Sequence, residues 1–171
     1  RAFTGRRVAI IGGGAVGVET ALFLAEKGTL SAEGLKFLLV NRAEDPETLY
    51  QMATQGTKEV ILVEMLDKVG KDIGKSTRWG MMQDLSRIGV TTVIRATVVA
   101  ITADGLEVEK DGKRETIAAD SVVIAVGSGS HNPLQPVVEE KNIAFQVVGD
   151  AGRVGLAFDA VHQGYKAGMT I

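Results

Sequence analysis

Val8-Ala9-Ile10-Ile11-Gly12-Gly13-Gly14-Ala15-Val16-Gly17-Val18-Glu19-Thr20-Ala21-Leu22 is the stretch on which the fold turns. Its first four residues are apolar and mostly β-branched, the composition of a strand buried on both faces of a parallel sheet. Ala15 to Lys27 then places Val16, Ala21, Leu22, Leu24 and Ala25 near helical spacing, and Gly28 stops the helix. Strand, glycine turn and helix follow one another without a spacer. The turn, Gly12-Gly13-Gly14-Ala15-Val16-Gly17, is a G-x-G-x-x-G in the context that gives this spacing its meaning. Gly12 permits the tight turn, Gly14 lets a ligand pyrophosphate approach the backbone, and Gly17 lets helix and sheet pack closely. The amides of Gly13, Ala15 and Val16 belong to the same cradle. Unpaired N–H groups and the positive end of the helix dipole are expected to face the phosphates of a dinucleotide.

Working outward, Leu30 to Gly56 reads as two helices. Ser31 caps one that runs through Ala43, and Asp45-Pro46-Glu47 starts the other. Glu59 to Glu64 is a second buried strand, and Lys75 to Ile88 a helix. Between Thr91 and Ala119, short strands broken at Asp104-Gly105 and Asp111-Gly112 suggest a small antiparallel meander. Ser121 to Gly127 is a further buried strand. Pro133 to Glu140 is expected to be a short helix, Phe145 to Val148 a last strand, and Ala157 to Met169 a terminal helix. The fold class is therefore α/β, a Rossmann-like parallel sheet flanked by helices, with a small antiparallel β-meander.

The ribose site depends on which residue ends the second strand. If Lys36 to Val40 is that strand, the spacing is near the usual value of about 20 residues and Arg42 favours the 2′-phosphate of NADP. If Glu59 to Val63 is the strand, Glu64 is the acid and NAD is favoured. The second reading is preferred, because Val60-Ile61-Leu62-Val63 is the better β-branched run.

Composition limits the alternatives. The 171 residues are 45% hydrophobic and 23% charged, enough for a core of ordinary size. With 19 Lys and Arg against 21 Asp and Glu, the net charge of -2 argues against nucleic acid or an anionic membrane as partner. No apolar run is long enough to span a bilayer, which suggests a cytoplasmic protein. The chain has no cysteine, so a thiol nucleophile and a cysteine-held cluster are excluded within it. His131 and His162 lack partners at metal-ligand spacing, so no metal site is expected, and they read as surface residues. Trp79, Met81 and Met82 read as core. A self-contained dehydrogenase of the Tyr-x-x-x-Lys type is not supported, since Tyr50 is followed by Thr54 and Tyr165 by Met169. No catalytic residue is assigned. A dinucleotide-binding redox sensor without turnover stays open as an alternative.

Val8 to Lys27, Val60 to Asp67 and Val122 to Gly127 together resemble the nicotinamide-binding domain of flavin-dependent pyridine-nucleotide oxidoreductases. The likeness is greatest to NADH:flavin oxidoreductases related to 2,4-dienoyl-CoA reductase and 2-enoate reductase. Val147-Val148-Gly149-Asp150-Ala151 is similar to the segment that closes the FAD domain in that family. The resemblance implies an NAD(P)-binding domain over residues 1–143, with a helical insertion at about 30–56, and a segment 144–171 belonging to an FAD domain. It implies NAD(H) as the cofactor of this chain and FAD in the parent protein. FMN and an iron–sulfur cluster would lie elsewhere in that parent, beside a barrel domain in which an activated alkene is reduced. By the same resemblance Glu19 and Gly127 lie near the nicotinamide half, and Asp150 bonds the ribityl chain of FAD. The start at Arg1, without Met, fits a piece of a larger protein, and the isolated chain is expected to bind nucleotide with little or no turnover.

Overall fold

The computed structural model describes residues 3–170. They form two compact units, one up to Val126 and one from Gly127 onward.

The first unit is built on a four-stranded parallel sheet. Its strands are β1 (Arg7–Ile11), β2 (Glu59–Glu64), β3 (Thr91–Ile94) and β7 (Ser121–Ile124), ordered β3-β2-β1-β7. Strand alternation sorts their side chains into two cores. Val8, Ile10, Val60 and Leu62 face the helices α1 (Ala15–Ala25) and α4 (Lys75–Arg87), where they meet Val18, Ala21, Leu24 and Leu85. Ala9 and Val63 face the other way, onto Leu106, Val108, Ala96 and Ala119. Leu106, Val108 and Ala96 come from a three-stranded antiparallel sheet, β4 (Ala96–Thr102), β5 (Gly105–Lys110) and β6 (Lys113–Ala118), and Ala119 directly follows it. The central strands β1 and β2 are thus covered on both faces, which is why they read as unbroken apolar runs.

The insertion is helical, as its capping residues predict. Ser31 Oγ accepts from the Gly34 amide at the start of α2 (Ala32–Asn41), 3.1 Å. Asp45 Oδ1 accepts from the amides of Glu47 and Thr48 at the start of α3 (Pro46–Thr54), both at 3.0 Å. Because Lys36 to Val40 is helix, the reading that ends a strand at Arg42 and selects NADP there is overturned. Leu49 roots α3 in the protein, whereas α2 buries no residue.

The structure corrects four expectations. Thr91 to Ile94 is a parallel strand of the main sheet rather than the first strand of the meander; a four-residue run carries too little pattern to separate the two. The first hairpin turns at Ala103-Asp104, and Gly105, with φ of 137°, opens β5. Trp79 is exposed, because the inner face of α4 is given by Met81, Met82 and Leu85, and position 79 lies off it. Phe145 to Val148 forms no strand: a strand exists only as part of a ladder, and no described segment pairs with it.

The second unit holds α5 (Gln135–Glu140), a single 3₁₀ turn (Gly149–Ala151) and α6 (Ala157–Gly168). Leu156 donates its amide to Asp159 Oδ2, 3.0 Å, which closes the start of α6. Among the described residues no helix is long and apolar enough to cross a membrane.

Candidate functional site: the glycine turn at the head of the first helix

Parallel strands bring the loops that follow β1 and β2 to the same edge of the sheet, where α/β proteins place their ligands. The glycine turn lies there, beside the boundary between β1 and β7 where the strand order changes direction. Gly12 has φ of 103° and donates its amide to Val63 O, 2.9 Å, which ties the turn to β2. A Cβ on Gly12 would lie 2.3 Å from Ala125 O, so a side chain is barred by both conformation and space. Gly17 is buried against the same turn: a Cβ there would lie 1.8 Å from Gly12 O. The close helix–sheet contact that the motif requires is therefore present.

Glu64 ends β2 and, among the described residues, is the one polar or charged side chain of the buried set, at 8% exposure. Its Oε2 accepts from the Gly13 amide at 2.6 Å and its Oε1 from the Leu66 amide at 2.8 Å. A carboxylate offers about four acceptor sites over its two oxygens, so about two are left for a further donor pair. The acid is oriented by backbone from two loops and keeps the capacity to accept ribose hydroxyls.

The amides at the head of α1 are not all open, contrary to the expectation from the motif. Ala15 donates to both carboxylate oxygens of Asp72, each at 3.0 Å. Asp72 comes from the loop between β2 and α4, and a Cβ on Gly14 would lie 3.0 Å from its Oδ2. The amide of Gly14 has no partner among the described residues, and Val16, in the first turn of α1, is exposed. The cradle thus holds an anion already, supplied by the protein.

The loop that carries Asp72 is well fixed at its middle. Gly70 donates its amide to Gly13 O, 2.6 Å, and Arg78 reaches Val69 O through Nε and Nη2 at 3.0 and 2.8 Å. Lys71 pairs with Asp67 at 2.6 Å, and this hydrogen bond holds the Asp67 carboxyl below its usual range. Sequence reasoning missed Asp72 because the residue bonds a partner 57 positions earlier. The available signal was topological: an acid in the loop after the strand next to β1 lies within reach of the turn.

Glu19 is exposed on α1. Gly127 opens the second unit with φ of 99°, and a Cβ there would meet nothing within 4 Å. Asp150 lies in the 3₁₀ turn of that unit and accepts from the Gly155 amide at 3.2 Å. His131 and His162 are exposed, and His162 Nδ1 lies 3.2 Å from Phe158 O. Among the described residues no three His, Asp or Glu cluster as a metal site would require.

Comparison with known proteins places the chain in a family. The chain is 44% identical over 166 residues to a metal reductase of Desulforamulus reducens, covering 97% of this chain and 25% of the relative. It is 34% identical over 166 residues to an NADH oxidase of Thermoanaerobacter brockii, covering 96% of this chain and 21% of that protein. The chain therefore spans only about a quarter of the length of these relatives. Among solved structures, a 2-naphthoyl-CoA reductase complex has the same fold, with a TM-score of 0.73 at 24% identity over 99% of this chain and 22% of that one. Residues 1–155 match the family described as pyridine nucleotide-disulphide oxidoreductase, and the chain belongs to that family.

Proposed function

We propose that this chain is the NAD(H)-binding part of a larger flavin-dependent oxidoreductase. In this reading the pyrophosphate sits at the head of α1, on the amides of Gly14, Ala15 and Val16, while the Gly13 amide holds Glu64 in place for the ribose. Gly12 and Gly17 shape the turn, and the adenosine ribose hydroxyls bond Glu64. The observation that carries the reading is the pair of fixed carboxylates at the turn. The Asp72 carboxylate on the Ala15 amide and Glu64 with unused acceptor capacity beside it support this reading. A 2′-phosphate at that position would face the buried Glu64 carboxylate, so NADH is favoured over NADPH.

The bound nicotinamide would supply a hydride, and this chain's residues contribute binding and orientation. Glu19 and Gly127 are proposed to lie near the nicotinamide half. Residues 144–171 are proposed to belong to an FAD domain completed by sequence outside this chain, with Asp150 turned to the flavin's ribityl chain. The exposed apolar stripe of α6, Phe158, Val161 and Tyr165, continued by Met169 at its C-terminal cap, supports this assignment. Such a face needs a covering partner, and about three quarters of each relative lies outside the matched segment. The terminal acceptor is proposed to be an activated alkene of the enoate or dienoyl-CoA type. FMN and an iron–sulfur cluster belong in this reading to the parent protein, and the chain alone carries no turnover.

Titration with NADH and NADPH, followed by quenching of Trp79 and by calorimetry, tests the cofactor assignment. Saturable binding of NADH with a preference over NADPH is expected, and a Glu64→Ala variant should lose most of that preference. Absence of NADH binding at millimolar concentration would reject the assignment.

A further inference from the structure

Asp72 is an exposed acid whose carboxylate is spent on a single backbone amide. Among the described residues no Lys or Arg pairs with it, although Lys71 is its neighbour in sequence; Lys71 is engaged by Asp67. What holds the Asp72 side chain is the positive end of α1 and the Ala15 N–H. These are the groups that a dinucleotide pyrophosphate would use.

Two anions cannot share that position. The Asp72 Oδ2 lies where a Cβ on Gly14 would be only 3.0 Å away, so it fills the space that the missing side chain leaves for a ligand. We propose that Asp72 is a carboxylate latch: it occupies the pyrophosphate position in the cofactor-free protein and rotates out when the dinucleotide enters. The proposal rests on the cofactor reading above and adds to it a competitor built into the chain.

The loop is suited to this. Val69 and Gly70 are buried and bonded to Arg78 and Gly13, whereas Lys71 and Asp72 are exposed. Release therefore needs only a side-chain rotation beyond a fixed pivot, and Glu64 and the glycine turn stay in place. Apparent affinity falls in proportion to the fraction of molecules whose cradle is open.

The test compares the 171-residue chain with its Asp72→Asn and Asp72→Ala variants, using NADH as the probe and the backbone amide resonance of Ala15 as a second readout. Asn keeps an acceptor but loses the charge, and Ala loses both. An acid at a helix start is favoured by up to about 1 kcal/mol, so removing it should tighten NADH binding about fivefold in Asp72→Ala, with Asp72→Asn in between. The Ala15 amide should shift in both cofactor-free variants, and on saturation with NADH all three proteins should converge at that resonance. Equal or weaker NADH binding by Asp72→Ala and Asp72→Asn, with the circular dichroism spectrum of the folded protein, would overturn the latch while leaving the cofactor site standing. Failure of all three proteins to bind NADH would overturn the cofactor reading, and the latch with it.

Discussion

Replacing Gly17 by Ala puts one methyl group into the tightest contact of the molecule. The new Cβ would lie 1.8 Å from Gly12 O and 3.0 Å from Gly12 C, and its next neighbour would be Leu62 Cδ1 at 3.5 Å. Cβ atoms essentially never come closer than 3.0 Å to such an oxygen, so α1 must retreat from the turn by about 1.2 Å. The clashing group is backbone tied to β2 through the Gly12 amide, and it cannot step aside as a side chain end would. Overpacking costs about 1–3 kcal/mol where neighbours can adjust, so here the upper end, about 3 kcal/mol, is expected. For a protein of this size that corresponds to a fall in melting temperature of roughly 6–12 °C. NADH affinity should drop as well, because the amides of the cradle move with the helix. Gly80→Ala is the internal control. It lies within α4, where a Cβ meets nothing within 4 Å, and should gain up to about 1 kcal/mol of helix propensity. Circular dichroism melts and NADH titration of both variants decide the matter. A Gly17→Ala protein that melts and binds like the wild type would refute the argument that this glycine is required by contact between helix and turn.

Two further outcomes follow from the geometry. Leu106 is fully buried between the two sheets, so Leu106→Ala should lower the unfolding free energy by about 2–5 kcal/mol in urea titration; a loss under about 1 kcal/mol would show that the second core collapses around the deletion. Asp120 ties the start of β7 to β1, accepting from the Arg7 amide at 2.8 Å and from Arg7 Nε at 3.0 Å, and the Arg7 hydrogen bond lowers its carboxyl to about 2. The folded value lies below the unfolded one, 3.8, so its stabilisation is complete above pH 4 and fades as pH falls toward 2. Asp120→Asn should accordingly be less stable than the wild type at neutral pH, with the gap narrowing between about pH 4 and pH 2 in melts; a gap independent of pH would refute the assignment.

The sequence made the parallel part of the fold legible because both faces of its strands are covered. Val8 to Ile11 and Val60 to Val63 read as unbroken apolar runs, and Gly12 and Gly17 of the motif are each required by close approach to backbone. Capping chemistry was equally readable at Ser31 and Asp45, where the decisive hydrogen bonds are local. Thr91 to Ile94 was not: whether a short strand joins one sheet or another is settled by distant partners. Trp79 was misjudged because one aromatic residue on a helix does not reveal which face is turned inward. At the site, Glu64 could be found from the strand it ends, but Asp72 needed the strand order as well, because no spacing rule links a loop acid to an amide in a different loop.

The way the chain passes from β3 to β7 has a consequence for assembly. These strands are the opposite edges of the parallel sheet, and the link between them is the β4-β5-β6 sheet rather than a helix. That link is made of neighbouring hairpins, which close over short stretches of chain, whereas pairing β1 with β2 and β7 needs ends brought together across about 50 and 110 residues. The meander is thus the segment able to form early and to offer Leu106 and Val108 as a preassembled floor on which the slower parallel strands settle.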